Sequence, residues 1–252
     1  MPTPAERFSA TAEGYAATMA PSLRPIAAEV VRRAALAPGE LVLDAGTGTG
    51  TAAELAGGDE RRLVGVDAAP GMLAIARREV PNVEFVESDF GELPFEDATF
   101  DVVLAVHALL FAEDQLATLG EWRRVTRPAG RLSLSVPGPS VTTPAALYRD
   151  VYERHGIDTT GRYPTPEALA ALAARAGWRQ VEADADPTTA IVLPDEAAFR
   201  TWRAIGARGP ATEHDTEAEH EALTAEMLAV TPRDRGGAFR IPFGTLYLVA
   251  VA

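Results

Sequence analysis

The residues able to do chemistry sit where short apolar runs end. LVLDAGTGTG (41–50) finishes an apolar run with Asp44 and follows it with glycines at 46, 48 and 50. RLVGVD (62–67) ends in Asp67, VEFVESD (83–89) ends in Asp89 with Phe90 next, and FDVVLAV (100–106) is followed by His107. Short apolar runs closed by glycine or an acid have the pattern of buried strands. Glycines, lacking Cβ, permit a tight turn and let a ligand approach the backbone.

The spacing narrows the ligand. The dinucleotide pattern is G-x-G-x-x-G, whereas this loop reads G-x-G-x-G with Thr51 where a third glycine would stand. Asp44, two residues before the first glycine, would repel a nearby pyrophosphate and attract an ammonium group. A ligand with an amino-acid head and a nucleoside tail meets both conditions, and S-adenosylmethionine is such a ligand. Asp67 alone does not separate the cases, because a dinucleotide enzyme also wants an acid there. His107 follows the fourth strand and should face the cleft, where an unperturbed pKa of about 6.5 suits a base. It could equally pack against a cofactor. His155 is a weaker candidate, and His214 and His220 belong to an acidic stretch, EHDTEAEHEA (213–222), that reads as a solvated face. No His and acid cluster has metal-ligand spacing, so no metal is expected.

Around these residues the pattern alternates. Helices are predicted over 22–35, closed by Pro38-Gly39, over 68–80, and over 113–126, stopped at Pro128-Ala129-Gly130. They separate the strands 41–45, 62–67, 83–89, 100–109 and 131–137. Such alternation predicts a parallel sheet covered on both faces, an α/β fold. Beyond Pro137 come a PGPS loop and a helix at 146–156. A second helix follows at 165–177, with Thr165 as N-cap, Pro166 in the first turn and Gly177 past the end. Strands follow at 178–185 and 190–193, helices at 195–206 and 215–230, and a last apolar strand at 243–252. One domain is expected, with a core over 36–137, 165–193 and 239–252 and a cap over 1–35, 138–164 and 194–238. Leu109, Leu110 and Phe111 could line an acceptor pocket. Phe199, Trp202 and Ile205, at helical spacing, read as core first and pocket second.

Composition removes whole classes of function. The 252 residues include no Cys, and all 23 basic residues are Arg. Thiolate chemistry, a lysine P-loop and a lysine Schiff base are therefore excluded. A net charge of −13 argues against nucleic acid as a partner, since phosphate backbones need a basic stripe. The Arg pairs 32–33, 61–62, 77–78 and 123–124 are scattered and read as solvated faces. No apolar run approaches the roughly 20 residues of a membrane span, and the first residues lack a secretion pattern, so a cytoplasmic location is expected. Oligomeric state is open between monomer and homodimer.

Residues 38–137 closely resemble the class I S-adenosylmethionine-dependent methyltransferases, particularly their small-molecule branch, and the rest of the chain resembles them in outline. D-x-G-x-G-x-G at 44–50 is similar to the family's first motif, LPFEDATFDVV (93–103) and EWRRVTRPAGRL (121–132) are also family-like, and Ala129 stands where a second glycine is usual. The resemblance implies a Rossmann-like, seven-stranded, mostly parallel sheet with helices on both faces, an antiparallel last strand, and a helical cap from the N-terminus and insertions. It implies that Asp44 and the glycine loop hold the methionine portion. Asp67 would take both ribose hydroxyls, Ala68 and Met72 would pack near the adenine, and Asp89 would take its amino group, with the Phe90 backbone NH in reach of the ring. Tyr15, in a segment that folds over the carboxylate end, joins this cofactor cradle, as do Ala45, Gly46, Thr47, Gly48, Gly50, Ser88, Val106 and His107. The implied activity is methyl transfer from S-adenosylmethionine to a small-molecule acceptor at O, N or C, with natural-product tailoring as one setting. A chain that binds this cofactor without methylating would carry the same loop. A nicotinamide-dependent oxidoreductase is opposed by the loop spacing and by Asp44.

Overall fold

The computed structural model describes residues 3–58, 62–138, 144–157, 165–206 and 216–252. Strands β1 (Leu41–Ala45), β2 (Arg62–Asp67), β3 (Glu84–Glu87), β4 (Phe100–Val106), β5 (Thr126–Pro137), β6 (Arg179–Asp186) and β9 (Thr245–Val251) form one sheet in the order β3-β2-β1-β4-β5-β9-β6. β1 to β5 pair in parallel, and β9 runs antiparallel to both β5 and β6. The seven-stranded Rossmann-like sheet with its antiparallel β9 is the architecture expected. Order reverses at β1, whose neighbours are β2 and β4, so the C-terminal ends of β1 and β4 flank the crevice where such sheets bind ligands.

Alternation along β1 fixes both layers. Leu43 and Ala45 point into a cluster with Trp122, Leu134 and Trp178, while Val42 points into another with Leu23, Ile26 and Val30. The first layer is α5 (Gln115–Val125) and α8 (Pro166–Arg175), the latter capped by Thr165 as expected. The second layer is α2 (Ala12–Arg33), the short α3 (Thr51–Ala56) and α4 (Pro70–Glu79).

Several elements differ from expectation. The helix expected to start at 22 begins at Ala12, so α2 runs through Pro21 and Pro25, and α1 (Pro4–Ala10) precedes it. Each proline removes a helical hydrogen bond, but Leu23, Ile26, Ala27 and Val30 are buried along one face and hold the helix against the sheet. β4 stops at Val106, and Leu109–Phe111 is a 3-10 turn. β5 starts at Thr126 because Pro128-Ala129-Gly130 continues into the strand instead of ending a loop. The helix expected at 146–156 is two pieces, α6 (Pro144–Leu147) and α7 (Arg149–Arg154). β7 (Ala190–Leu193) pairs with β8 (Phe239–Pro242) in a separate two-stranded sheet. Its Ile191, Leu193, Phe239 and Ile241 join Tyr148, Phe199, Trp202, Leu223 and Met227 in a cluster that includes α9 (Glu196–Gly206) and α10 (Glu217–Val230). Residues 190–193 and 239–242 therefore pack with the cap helices, since a strand's period does not specify its partner.

Arg33 and Arg124 do more than solvate a face. Arg33 pairs with Glu29 and Asp184 and lies 4.5 Å over the Tyr247 ring. Arg124 donates to the carbonyls of Phe95 and Leu93 and pairs with Glu121 and Asp97, pinning the loop before β4. Arg61, His214 and the end of the PGPS loop lie outside the described residues.

Candidate functional site

The glycine loop is tied down from two strands. Gly46 N and Thr47 N both donate to Val66 O, at 2.8 and 2.9 Å, so the loop starts by folding against β2. Gly46 has φ 73°, and a Cβ built there would lie 2.5 Å from the Ala108 Cβ. Only glycine lets β1 turn this close to the end of β4. Asp44 is buried; its Oδ2 accepts from Thr47 Oγ1 at 2.6 Å and from Ala53 N at 3.1 Å. One carboxylate thus joins strand, loop and the first turn of α3. Burial pushes Asp44 up to about 6, against the lowering effect of those two donors, and the charge of Asp67 adds to the rise.

Asp67 ends β2 and spans the same loop: Oδ2 accepts from Gly48 N and Oδ1 from Ala69 N, each at 2.9 Å. Burial raises its pKa as well. No cation contributes to either acid's environment among the described residues. Ala68 follows Asp67, and Met72 on α4 is buried with Ala12, Ala69 and Ile75. Asp89, after β3, is exposed and accepts from Gly91 N at 2.7 Å, and the Ser88 hydroxyl donates to the carbonyls of Asp89 and Glu92. Phe90 packs against the sheet core, and its carbonyl accepts from Trp122 Nε1 at 2.8 Å.

A cavity lies over the loop, lined by Asp44, Gly46, Thr47, Gly48, Thr49 and Val106 from the sheet side and by Tyr15, Ala20, Leu23 and Ala27 from α2. Ala45, fully buried, closes β1 beneath it, and Gly50 begins the turn into α3. Burial raises the Tyr15 phenol well above its ordinary value, and the charges of Asp67 and Asp44 add to the rise. The N-terminus is latched down: Gly71 N donates to Ser9 Oγ at 2.7 Å, and Phe8 meets Tyr15 and Phe111 edge-on.

His107 is buried at φ 51°, with N donating to Ser135 O at 3.0 Å. Its ring stacks on Phe243, centroids 5.1 Å apart and 29° between planes, and Nε2 has no hydrogen-bond partner among the described residues. Burial pushes the imidazole down to about 3, so it is neutral across the physiological range. A buried unsatisfied nitrogen costs about 1–3 kcal/mol, and a left-handed non-glycine residue adds about 1–2 kcal/mol. Costs of this kind concentrate at functional sites.

The predicted residues thus divide. Tyr15, Asp44, Gly46, Thr47, Gly48 and Val106 share one cavity, with Asp67 bound to its loop. Asp89 and Ser88 lie off it in a surface turn. His155 bonds Glu226 of α10 at 3.1 Å, and neither residue lines the cavity. Phe199 and Trp202 are cap core, and Leu110 and Phe111 are exposed where Leu109 is buried. Sequence reasoning missed Ala20 because it precedes the helix expected at 22–35, and Leu23 and Ala27 because they lie within that helix as apolar residues with no chemistry of their own. The helical spacing of Leu23, Ile26, Ala27 and Val30 was the signal available. It also missed Phe243, which reaches His107 only through the fold.

Residues 43–134 match the model of a methyltransferase domain family. The chain is 37% identical over 163 residues to a demethylmenaquinone methyltransferase of Thermus thermophilus, covering 54% of this chain and 73% of that one. It is 30% identical over 194 residues to an arsenite methyltransferase of Halobacterium salinarum, covering 71% of this chain and 49% of that relative. Among solved structures, a Haloferax volcanii methyltransferase in complex with the Trm112 methyltransferase activator superposes with a TM-score of 0.60 at 24% identity, over 97% of both chains, a likeness of fold. The family match runs from inside β1 to inside β5 and so takes in the glycine loop, the acids ending β2 and β3, and the turn that carries His107. With the Thermus relative matched over most of its length, this chain belongs to the class I S-adenosylmethionine-dependent methyltransferases.

Proposed function

We propose that the chain transfers the methyl group of S-adenosylmethionine to a small organic acceptor. The observation that carries this is a cavity over the glycine loop lined by the buried acid Asp44, with the half-buried Asp67 bound to the same loop and no cation beside either among the described residues. A ligand bearing an ammonium and a sulfonium supplies the missing positive charge. Asp44 and residues 46–49 would hold its methionine portion under Tyr15. A carboxylate has about four lone-pair sites, so Asp67, which meets the backbone N–H groups of Gly48, Ala69 and Ala68, keeps capacity for a ribose hydroxyl. Ala68 and Met72 would flank the adenine, with Asp89 and the Phe90 NH at its edge.

Once bound, the sulfonium supplies an already activated methyl group. The protein's part is to hold the acceptor atom in line at about 3–3.5 Å and to exclude water. His107 is the candidate for removing a proton from the acceptor. By this reading the chain works in the cytoplasm as a monomer or homodimer, on a small molecule and on neither nucleic acid nor membrane. Among the described residues no helix is long and apolar enough to cross a membrane. The relatives named above act on demethylmenaquinone and arsenite, both small. The all-Arg, Ala-rich composition is of the kind high-GC bacterial genes produce and is compatible with a setting in natural-product tailoring.

Calorimetric titration with S-adenosylmethionine and S-adenosylhomocysteine, alongside NADH and NADPH, tests the cofactor. Micromolar binding of the first pair alone is expected, and binding of only the nicotinamides would overturn the assignment. Tight cofactor binding without methylation of any acceptor would favour a different reaction on the same fold.

A further inference from the structure

His107 follows β4 directly after Val106, which lines the cofactor cavity, and its ring lies at the seam between sheet and cap. Phe243 forms the other side of that seam and packs against both the sheet cluster and the cap cluster. It is fixed in place: its N donates to Thr189 O at 2.9 Å, and its carbonyl accepts from Thr189 Oγ1 at 2.6 Å. β9 runs antiparallel with Thr245 opposite Pro137, so Phe243 stands at the C-terminal ends of the parallel strands, the ligand edge of the sheet. On this apolar platform the buried Nε2 of His107 has no partner among the described residues.

We propose that His107 Nε2 is the docking point for a hydroxyl group of a neutral, largely apolar acceptor lying along Phe243, and that this hydroxyl oxygen is the atom methylated. The proposal rests on the methyl-transfer reading above. Among the described residues burial alone acts on the His107 ring and no charged group contributes, so an ionic acceptor would find no counter-charge from them there. With its proton on Nδ1, the neutral ring offers Nε2 as an acceptor, which matches an O–H donor. In the reaction the hydroxyl oxygen forms the bond to the methyl carbon, and the carbon–sulfur bond breaks with its electron pair staying on sulfur. The hydroxyl proton passes to Nε2 and then to solvent as product leaves. A weakly basic imidazole can take a proton from an oxygen that is becoming a protonated ether. It cannot take one from a newly methylated ammonium, which separates hydroxyl from amine acceptors.

The test uses the full chain, labelled with ¹⁵N-histidine and saturated with S-adenosylhomocysteine. The Nε2 resonance of His107 is assigned by its loss in His107→Phe and, should that variant not fold, in His107→Asn. The probes are 1-naphthol and 1-decanol, each against its hydrocarbon and its primary amine. The expected result is a shift of the Nε2 resonance with a hydroxyl probe alone, and at least tenfold tighter binding of that alcohol than of its hydrocarbon. The preference should disappear in the variant. No response to either alcohol, or an equal response to the amines, overturns the proposal. If S-adenosylhomocysteine itself fails to bind, the cofactor reading falls and this proposal falls with it. Normal cofactor binding with a silent His107 removes the hydroxyl assignment alone.

Discussion

Gly48 N donates to Asp67 Oδ2 at 2.9 Å, so the acid that ends β2 holds the middle of the loop that follows β1. The same carboxylate holds the turn that leads into α4 through Ala69 N. Asp67 is therefore a structural clasp as well as the candidate ribose ligand. Asp67→Ala should weaken S-adenosylhomocysteine binding by about 1–3 kcal/mol, the cost of buried hydrogen bonds, and should lower the unfolding free energy by a similar amount. Asp89→Ala should weaken the cofactor on the same scale with little effect on stability, because Asp89 is exposed and serves only the turn at Gly91. Calorimetry and denaturant melts on both variants separate the two roles. Unchanged affinity in both would refute the residue assignment.

Two glycines of the loop should respond differently to alanine. Gly46 and Gly48 both have positive φ, 73° and 55°. At Gly46 the added methyl would sit 2.5 Å from Ala108 Cβ, whereas at Gly48 nothing among the described residues lies within 4 Å. Gly48→Ala should cost only the left-handed backbone penalty, about 1–2 kcal/mol. Gly46→Ala adds an overpacking cost of about 1–3 kcal/mol and should push β1 away from β4. Thermal unfolding of the two variants measures the gap, and equal losses would show that the Gly46 contact relaxes freely.

These residues were legible for different reasons. LVLDA and RLVGVD read correctly because a short apolar run closed by an acid or a glycine has few other folds, and the acids then fall at the ligand edge. The helix through Pro21 and Pro25 was not legible, because local propensity argues for a break and only the buried face of Leu23, Ile26 and Val30 overrides it. α3, with six residues directly after the loop, is too short for a period to register. The separation of β7 and β8 from the main sheet, and the stacking of Phe243 on His107, depend on contacts between distant parts of the chain. Neither follows from local pattern.

Asp44 should leave a signature in the pH dependence of stability. Its pKa is raised to about 6 in the folded protein from an ordinary value near 4. The folded state therefore holds the proton more tightly than the unfolded chain. The stability this supplies is full below about pH 4, falls as pH rises, and is gone above about pH 6. The facing groups are the acid Asp67, which adds to the rise, and the donors Thr47 Oγ1 and Ala53 N, which oppose it. Asp44→Asn keeps the shape without the titration. The stability of the wild type minus that of the variant should fall by about 2–3 kcal/mol between pH 4 and 7. A flat difference would mean that Asp44 ionises as freely in the fold as in the unfolded chain.

Ala129 sits at φ 64° near the start of β5, between Pro128 and Gly130. The turn there is held to the C-terminus, with Ala252 N donating to Gly130 O at 2.8 Å, so Ala129 cannot relax without breaking that closure. A non-glycine residue in this region pays about 1–2 kcal/mol. Glycine removes the strain but adds backbone freedom to the unfolded chain, worth about 0.4–1 kcal/mol. The balance favours Ala129→Gly by about 0–1.6 kcal/mol. The site is exposed and lies at the N-terminal end of β5, the opposite end of the sheet from the glycine loop. Denaturant midpoints should therefore rise while S-adenosylhomocysteine affinity stays constant. A fall in stability would show that the unfolded-state entropy outweighs the relief of strain.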